Sequence, residues 1–188
     1  TQNQSSAASD VYKRQVGVIG AGGGLGIHML KMLKLNNISA IGIDTKTEKF
    51  NTCNENGAEF SVSPMENDLK NKIADYSKSH DLDVVIDFVS SKSSLELGCS
   101  ILGKGGRLVT LGGSGEQFLA NSADMLVKEL ELIGSRYCTK QELKESLDLY
   151  ARGLIEPLVS IKTDFDGAEG LHDKIEKGEI TGRAGILI

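Results

Sequence analysis

The stretch VGVIGAGGGLG, residues 16–26, decides the fold class, because it joins a short apolar run to a glycine-rich turn at the start of a helix. Val16–Ile19 has the composition of a buried strand. The apolar spacing after the turn predicts one face of a helix, formed by Leu25, Met29, Met32 and Leu33. A strand, a glycine-rich turn and a helix in this order are the context that a dinucleotide-binding turn requires.

The glycine spacing departs from the plain G-x-G-x-x-G pattern, since Leu25 stands where its third glycine would fall. The turn fits G-x-x-G-x-x-G through Gly20, Gly23 and Gly26. Glycines permit a tight turn and a close approach of the backbone to a pyrophosphate, and the helix start attracts its negative charge. The expected phosphate-binding residues are Gly20, Gly22, Gly23, Gly24, Leu25 and Gly26. Taken alone, the motif also fits a glycine-rich turn in another α/β domain.

An acidic residue follows the second predicted strand. Ser39–Ile43 is apolar and ends in Asp44, with Lys49 shortly after it. A carboxylate at this place accepts hydrogen bonds from the adenosine ribose and repels a 2′-phosphate, so Asp44 predicts NAD rather than NADP. We expect Lys49 to cover the other edge of the ribose. The alternative role of Asp44 is to cap the helix predicted over residues 48–56.

The rest of the chain alternates between strand and helix patterns. Further strands are predicted over residues 59–62, 83–89, 107–111 and 130–133, with Gly103–Gly106 ending a helix. Thr139 and Glu142 form a capping box for a helix with an apolar face, and Asp166 and Glu169 repeat that spacing. Strands that alternate with helices predict βαβ units and a parallel sheet.

Composition excludes several functions. The 188 residues carry a net charge of −5, which gives no support for nucleic-acid binding. No apolar run is long enough to cross a membrane, so we expect no membrane association. The 3 scattered cysteines suit a reducing compartment, and we expect a cytoplasmic protein. We expect His28, His80 and His172 to be surface residues rather than ligands.

The first residues do not belong to this pattern. Ser5–Gln15 resembles the translation of a sequencing-library adapter used with transposases. We therefore expect residues 1–15 to be a non-native leader, with a disordered natural N-terminus as the alternative. We also expect the natural protein to extend upstream of Val16.

Several motifs, in order and at their spacing, resemble the medium-chain, zinc-type alcohol dehydrogenase/reductase superfamily. They are Gly20–Gly26, Gly42–Asp44 with Lys49, Asp83–Val89, Gly105–Gly112, Leu132–Ser135, Ala151–Gly153 and Glu176–Arg183. The resemblance covers Val16–Ile188. It implies the C-terminal, NAD-binding portion of such an enzyme, with a doubly wound (Rossmann) parallel sheet of strand order 3-2-1-4-5-6.

The resemblance also implies roles for individual residues. Gly24 and Leu25 would contact the pyrophosphate, and Phe88 and Val89 would line the ribose and nicotinamide side. The residues expected to present backbone groups to the carboxamide are Thr110, Leu111 and Ile133. Arg183 would clamp the pyrophosphate, with an ordinary surface arginine as the alternative.

In this superfamily a separate N-terminal domain carries the zinc ligands and the proton relay. We therefore expect no catalytic residue and no metal ligand in this chain, and Cys53, Cys99 and Cys138 match no ligand position. Residues 16–135 would form the dinucleotide-binding domain, and residues 136–188 would pack against the missing catalytic domain. This chain alone would then be inactive.

The resemblance implies an intact enzyme that transfers hydride between an alcohol or carbonyl substrate and NAD, with zinc bound outside this chain. It would be a homo-oligomer joined through the edge of the sixth strand. Two alternatives stay open: a non-catalytic NAD-sensing Rossmann module, and a zinc-independent quinone or enoyl reductase of the same superfamily.

Overall fold

The computed structural model describes residues 14–77 and 81–188. Residues 1–13 of the expected leader and His80 lie outside the described residues. Gln15, placed in that leader by the sequence pattern, pairs with Ser39 at the start of the first strand. In the described ranges, no helix has both the length and the apolar character of a membrane span.

Six parallel strands form the main sheet. Their bounds are β1 Gln15–Ile19, β2 Ser39–Ile43, β3 Phe60–Val62, β4 Leu82–Asp87, β5 Leu102–Thr110 and β6 Glu131–Gly134. The strand order is β3-β2-β1-β4-β5-β6, which confirms the predicted doubly wound sheet. The direction of winding reverses between β1 and β4, and such a switch point opens a crevice beyond the carboxyl ends of the strands.

Helices follow the strands, and those between β1 and β5 cover the main sheet. Their bounds are α1 Gly26–Leu35, α2 Phe50–Glu55, α3 Leu69–Tyr76, α4 Lys92–Ile101, α5 Ser122–Lys128, α6 Lys140–Ala151 and α7 Ala168–Glu176. One buried cluster joins the strands to α1 and α2 through residues such as Ile27 and Cys53. A second cluster joins them to α3 and α4 through residues such as Ile73 and Ile101. Two clusters with different helices are what a doubly wound sheet requires.

The buried face of α1 differs from the predicted one. Ile27 and Leu30 are fully buried and Leu33 nearly so, whereas Leu25 is 50% exposed. The predicted face followed the apolar side chains of the helix, but the first of them lies in the glycine turn and points into the cleft. The face that packs on the sheet therefore starts two residues later.

Strand β5 is longer than predicted, because it begins at Leu102 rather than Arg107. Leu82 pairs with Leu102, but Val84 pairs with Arg107, so the ladder shifts register between them. Gly105 has φ +70°, which a glycine adopts without strain. The glycine run, read in the sequence as the end of a helix, thus forms an irregularity inside the strand.

A second, two-stranded parallel sheet was not predicted. It pairs β7, Val159–Thr163, with β8, Arg183–Ile186, around α7. The capping box of α6 is confirmed at Thr139 and Glu142. The repeat of that spacing before α7 was wrong, because α7 begins after Gly167 without a side-chain cap.

Candidate cofactor-binding site

The glycine-rich turn lies between β1 and α1 at the switch point of the sheet. Gly20 has φ +76°, and its carbonyl accepts a hydrogen bond from the Gly23 amide at 3.0 Å. A Cβ on Gly26 would overlap the Gly20 carbonyl oxygen and lie 2.7 Å from the Ala21 Cα. The turn therefore closes on itself so tightly that only glycine fits at its end.

Asp44 joins the end of β2 to this turn. Its Oδ2 accepts a hydrogen bond from the Gly22 amide at 2.8 Å, and its Oδ1 accepts one from the Lys46 amide at 3.0 Å. The side chain is 9% exposed and lines the cleft. Residues Thr47–Lys49 form a 3₁₀ turn that has no side-chain cap, so Asp44 does not serve as its N-cap.

Lys49 reaches the C-terminal segment. Its Nζ donates a hydrogen bond to the Ile180 carbonyl at 2.8 Å, and the residue is only 5% exposed. The aliphatic part of its side chain lies on Gly22, where an added Cβ would come within 2.5 Å of the Lys49 Cδ. Lys49 therefore packs the turn against the segment that precedes β8.

Arg183, the first residue of β8, lies over the turn. A Cβ on Gly24 would come within 2.8 Å of the Arg183 Cδ and Nε atoms. The preceding residue, Gly182, has φ +70° and donates its amide to the Gly22 carbonyl at 3.1 Å. The C-terminal segment thus places a guanidinium beside the backbone that is expected to hold the pyrophosphate.

A cleft of about 510 Å³ runs along these residues. The predicted site residues that line it are Gly20, Gly23, Gly24, Leu25, Gly26, Asp44, Lys49, Phe88, Val89 and Arg183. Gly22 lies beneath it, under Lys49 and Asp44. The charged residues of the lining are one carboxylate, Asp44, and two cations, Lys49 and Arg183. This balance favours an anionic ligand with hydroxyl groups near one end.

Three predicted residues do not line this cleft: Thr110, Leu111 and Ile133. The Thr110 carbonyl accepts a hydrogen bond from Ser135, and the Leu111 amide donates one to the Asp87 carbonyl at 3.1 Å. Ile133 pairs with Val109 in the sheet. Sheet pairing thus engages the Thr110 carbonyl and the Leu111 amide, so their roles toward the carboxamide stay predictions.

Sequence reasoning gave no role to Asp87, which organises the turn after β4. Asp87 is fully buried, and its Oδ1 accepts hydrogen bonds from the amides of Val89 at 2.8 Å and Ser90 at 3.0 Å. Its Oδ2 accepts one from the Ser94 hydroxyl at 2.7 Å. In the sequence, the feature that could have indicated this role is a carboxylate at the end of an apolar strand. Asp87 thus fixes the turn after Phe88, with Val89 at the rim of the cleft.

The three cysteines are free thiols in different surroundings, since Cys53 is buried, Cys99 half-buried and Cys138 exposed. Burial, reinforced by the charge of Asp44, raises the pKa of the Cys53 thiol to about 11, so this thiol stays protonated at neutral pH. Within the part of the chain that the structure describes, no three His, Cys, Asp or Glu side chains are grouped to hold a metal ion. These residues do not fit a catalytic zinc, which needs three protein ligands.

Comparison with known proteins identifies the family. The profile described as zinc-binding dehydrogenase matches residues 24–152. The chain therefore belongs to the zinc-binding dehydrogenase family, which confirms the resemblance seen in the sequence.

Individual relatives cover the chain almost completely. It is 28% identical over 173 residues to the NAD-dependent alcohol dehydrogenase of Sulfolobus acidocaldarius, covering 90% of this chain and 49% of that protein. It is 28% identical over 169 residues to an acryloyl-coenzyme A reductase of Metallosphaera sedula, covering 87% and 48%. The crystal structure of the Aeropyrum pernix alcohol dehydrogenase superposes with a TM-score of 0.84 at 27% identity, covering 96% of this chain and 52% of that one. The chain thus spans about half the length of these relatives.

Proposed function

We propose that this chain is the NAD-binding portion of an alcohol dehydrogenase that transfers hydride between an alcohol and NAD. The observation that carries the proposal is the contact of Asp44 with the glycine turn. In this contact the Asp44 carboxylate lies beside the backbone that we propose as the phosphate site, at the switch point of the sheet. Membership of the zinc-binding dehydrogenase family and the NAD-dependent relative support it.

The residues of the cleft fit NAD. An added Cβ on Gly24 would overlap Arg183, so the missing side chain lets the guanidinium lie directly on the backbone of the turn. A pyrophosphate bound at the turn would then have backbone amides and a guanidinium beside it. Asp44 lies at the end of β2, where its oxygens accept hydrogen bonds from ribose hydroxyls. Phe88 and Val89 line the same cleft, and Asp87 holds the Val89 amide. These two residues would orient the nicotinamide half.

The bound nicotinamide would supply the hydride acceptor for alcohol oxidation. The chain's own residues bind and orient the dinucleotide, and we assign no catalytic proton transfer to any of them. The described residues hold no group of three side chains that fits a zinc ion. We propose that the zinc ligands and the substrate pocket of the dehydrogenase lie in another part of the whole protein.

We propose that residues 136–188 pack against a further domain in the whole enzyme. The apolar side chains of α6 support this, since Leu143, Leu147 and Tyr150 are 52%, 59% and 58% exposed. An exposed apolar stripe of this kind marks a contact surface. Without that domain, we expect this chain to bind no stoichiometric zinc and to oxidise no alcohol. Elemental analysis and an assay over an alcohol panel test both expectations.

Cofactor choice provides the direct test of the site. We expect the chain to bind NAD at least about tenfold more tightly than NADP, a preference of about 1.4 kcal/mol. The reason is repulsion between Asp44 and the 2′-phosphate, which amounts to about 4 kcal/mol at about 4 Å and a dielectric constant near 20, before solvent weakens it. Calorimetric titration of both cofactors measures the preference.

Two variants separate charge from structure. Asp44→Ser should narrow the preference for NAD over NADP. Asp44→Asn should narrow it too, although the Oδ1 of the asparagine can still accept the hydrogen bond from the Gly22 amide. Glu48→Gln removes an exposed charge of the next segment outside the cleft, so it serves as the matched control. Equal or tighter binding of NADP by the unmodified chain would contradict the proposal.

The acryloyl-coenzyme A reductase relative favours a second candidate, an enoyl reductase. The same cleft would then bind a dinucleotide that gives hydride to a carbon–carbon double bond. Assays of the whole protein discriminate the two reactions. Alcohol-dependent reduction of NAD supports the dehydrogenase, whereas consumption of an α,β-unsaturated thioester without alcohol oxidation supports the reductase.

We also propose a homo-oligomer joined through β6. This strand forms one edge of the main sheet, and Leu132 and Ile133 are 39% and 37% exposed on it. An apolar edge of this kind pairs readily with a second copy. Light scattering on the whole protein should report a dimer or a larger assembly, and Ile133→Lys should shift it toward monomer. A wild-type protein that is monomeric at all concentrations would contradict the proposal.

A further inference from the structure

His28 connects the glycine turn to the C-terminal segment. Its Nδ1 lies 2.6 Å from the Gly24 carbonyl oxygen, one helical turn earlier. Its Nε2 accepts a hydrogen bond from the Leu158 amide at 3.2 Å. A carbonyl only accepts and an amide N–H only donates, so these partners define a neutral ring with its proton on Nδ1.

The connection closes a ring of contacts. The Leu158 carbonyl accepts a hydrogen bond from the Arg183 amide at 2.8 Å. The next residue, Val159, pairs with Arg183 in the small sheet. The Arg183 side chain then returns to Gly24, whose carbonyl is held by His28. His28 therefore contacts two residues that position Arg183. One is Gly24, on which the Arg183 side chain lies, and the other is Leu158, which bonds to the Arg183 backbone.

The segment that carries Arg183 has two further contacts with the N-terminal part of the chain. Lys49 donates a hydrogen bond to the Ile180 carbonyl, and the Gly182 amide donates one to the Gly22 carbonyl. Both contacts hold the chain before β8.

The chain before β7, the partner strand of β8, is held by α1. Lys31 bonds to the Glu156 carbonyl at 2.6 Å, and His28 bonds to Leu158. Of these two, only His28 holds the residue that itself bonds to the Arg183 backbone.

We propose that His28 is a positioning residue for cofactor binding: by accepting the Leu158 amide, it holds Arg183 over the pyrophosphate site. The inference rests on the proposed NAD-binding function. It corrects the expectation that His28 is an ordinary surface residue. His28 itself does not line the cleft, so its effect on the cofactor passes through Leu158 and Arg183.

A pair of near-isosteric variants tests the role in the full chain. The Asn side chain in His28→Asn reaches only the place of Nδ1 and loses the Leu158 amide, whereas the Gln side chain in His28→Gln reaches the place of Nε2 and keeps an acceptor there. His28→Asn thus removes one hydrogen bond, which makes a modest contribution to the position of the C-terminal segment. We therefore expect His28→Asn to weaken NAD binding roughly three- to tenfold. His28→Gln should restore it to within about twofold of wild type.

Two further measurements identify the route. Hydrogen exchange at the Leu158 amide should accelerate in His28→Asn and stay slow in His28→Gln, with or without NAD. In an Arg183→Ala background, His28→Asn should cause no additional loss of NAD affinity, because the residue acts through Arg183. His172→Asn, on the exposed side of α7, is the matched control and should change neither quantity.

The outcomes separate the two claims. A wild-type chain that binds no NAD overturns the proposed function. If wild type binds NAD, then equal losses in the Asn and Gln variants, or a full His28→Asn effect in the absence of Arg183, overturn the positioning role. Unchanged affinity in His28→Asn overturns it as well.

Discussion

Gly26→Ala should abolish measurable NAD binding and destabilise the fold. The added methyl group would overlap the Gly20 carbonyl oxygen and lie 2.7 Å from the Ala21 Cα and carbonyl oxygen, all of which are backbone atoms. No side chain can rotate to relieve this overlap, so the turn has to move away from α1. We expect a loss of about 3 kcal/mol in the free energy of unfolding. NAD affinity should fall roughly a hundredfold or more. Thermal unfolding and calorimetry measure the two effects.

Gly170→Ala is the matched control for this substitution. Gly170 also lies in a helix, α7, but an added Cβ meets nothing within 4 Å there. Since alanine favours a helix over glycine by about 1 kcal/mol, this variant should be slightly more stable and bind NAD normally. A Gly26→Ala variant that behaves like Gly170→Ala would show that the turn is looser than described.

Arg183→Ala should weaken NAD binding by roughly ten- to a hundredfold. A charge-assisted contact with a pyrophosphate contributes about 1.5–3 kcal/mol, and the guanidinium over Gly24 is placed to make it. Because the Arg183 backbone, not its side chain, makes the contacts with Leu158, the fold should be unchanged. Titration with NAD, compared with thermal unfolding, distinguishes loss of the contact from loss of the fold.

Arg152→Ala provides the control for removal of an arginine. Arg152 is exposed at the end of α6, and its partner is Asp148 at 3.3 Å, away from the cleft. Exposed pairs of this kind contribute at most about 1 kcal/mol to stability, so NAD binding should not change. Unchanged affinity in Arg183→Ala would instead make Arg183 an ordinary surface residue, the alternative that the sequence left open.

The sheet was predictable because its signals are local. The predicted strands of the main sheet are short apolar runs, and most of them are followed by a helix pattern, so the alternation indicated parallel pairing. Helix α5, between β5 and β6, was not predicted. The order of the strands came from the family resemblance, and the structure confirms it. The irregular start of β5 was not predictable, because glycines that end a helix and glycines that form a bulge look alike in sequence.

The site was predictable in part. The glycine turn and Asp44 belong to one βαβ unit, so their proximity follows from short-range connections along the chain. Phe88 and Val89 were expected from the family resemblance, and they line the cleft because β4 neighbours β1 at the switch point. By contrast, the role of Asp87 was not predictable, because an acidic residue at the end of a strand can serve many purposes. Its role became clear only from its buried hydrogen bonds.

The sequence by itself determined where the backbone must turn tightly, which short apolar runs form strands, and which acid ends β2. These features depend on residue type and on neighbours close in the chain. The tertiary structure decided what the C-terminal segment does. Lys49 meets Ile180 and His28 meets Leu158 across more than a hundred residues of chain, separations of 131 and 130. Such contacts carry no local pattern, because the partner is a backbone group, and every residue except proline offers both its N–H and its C=O.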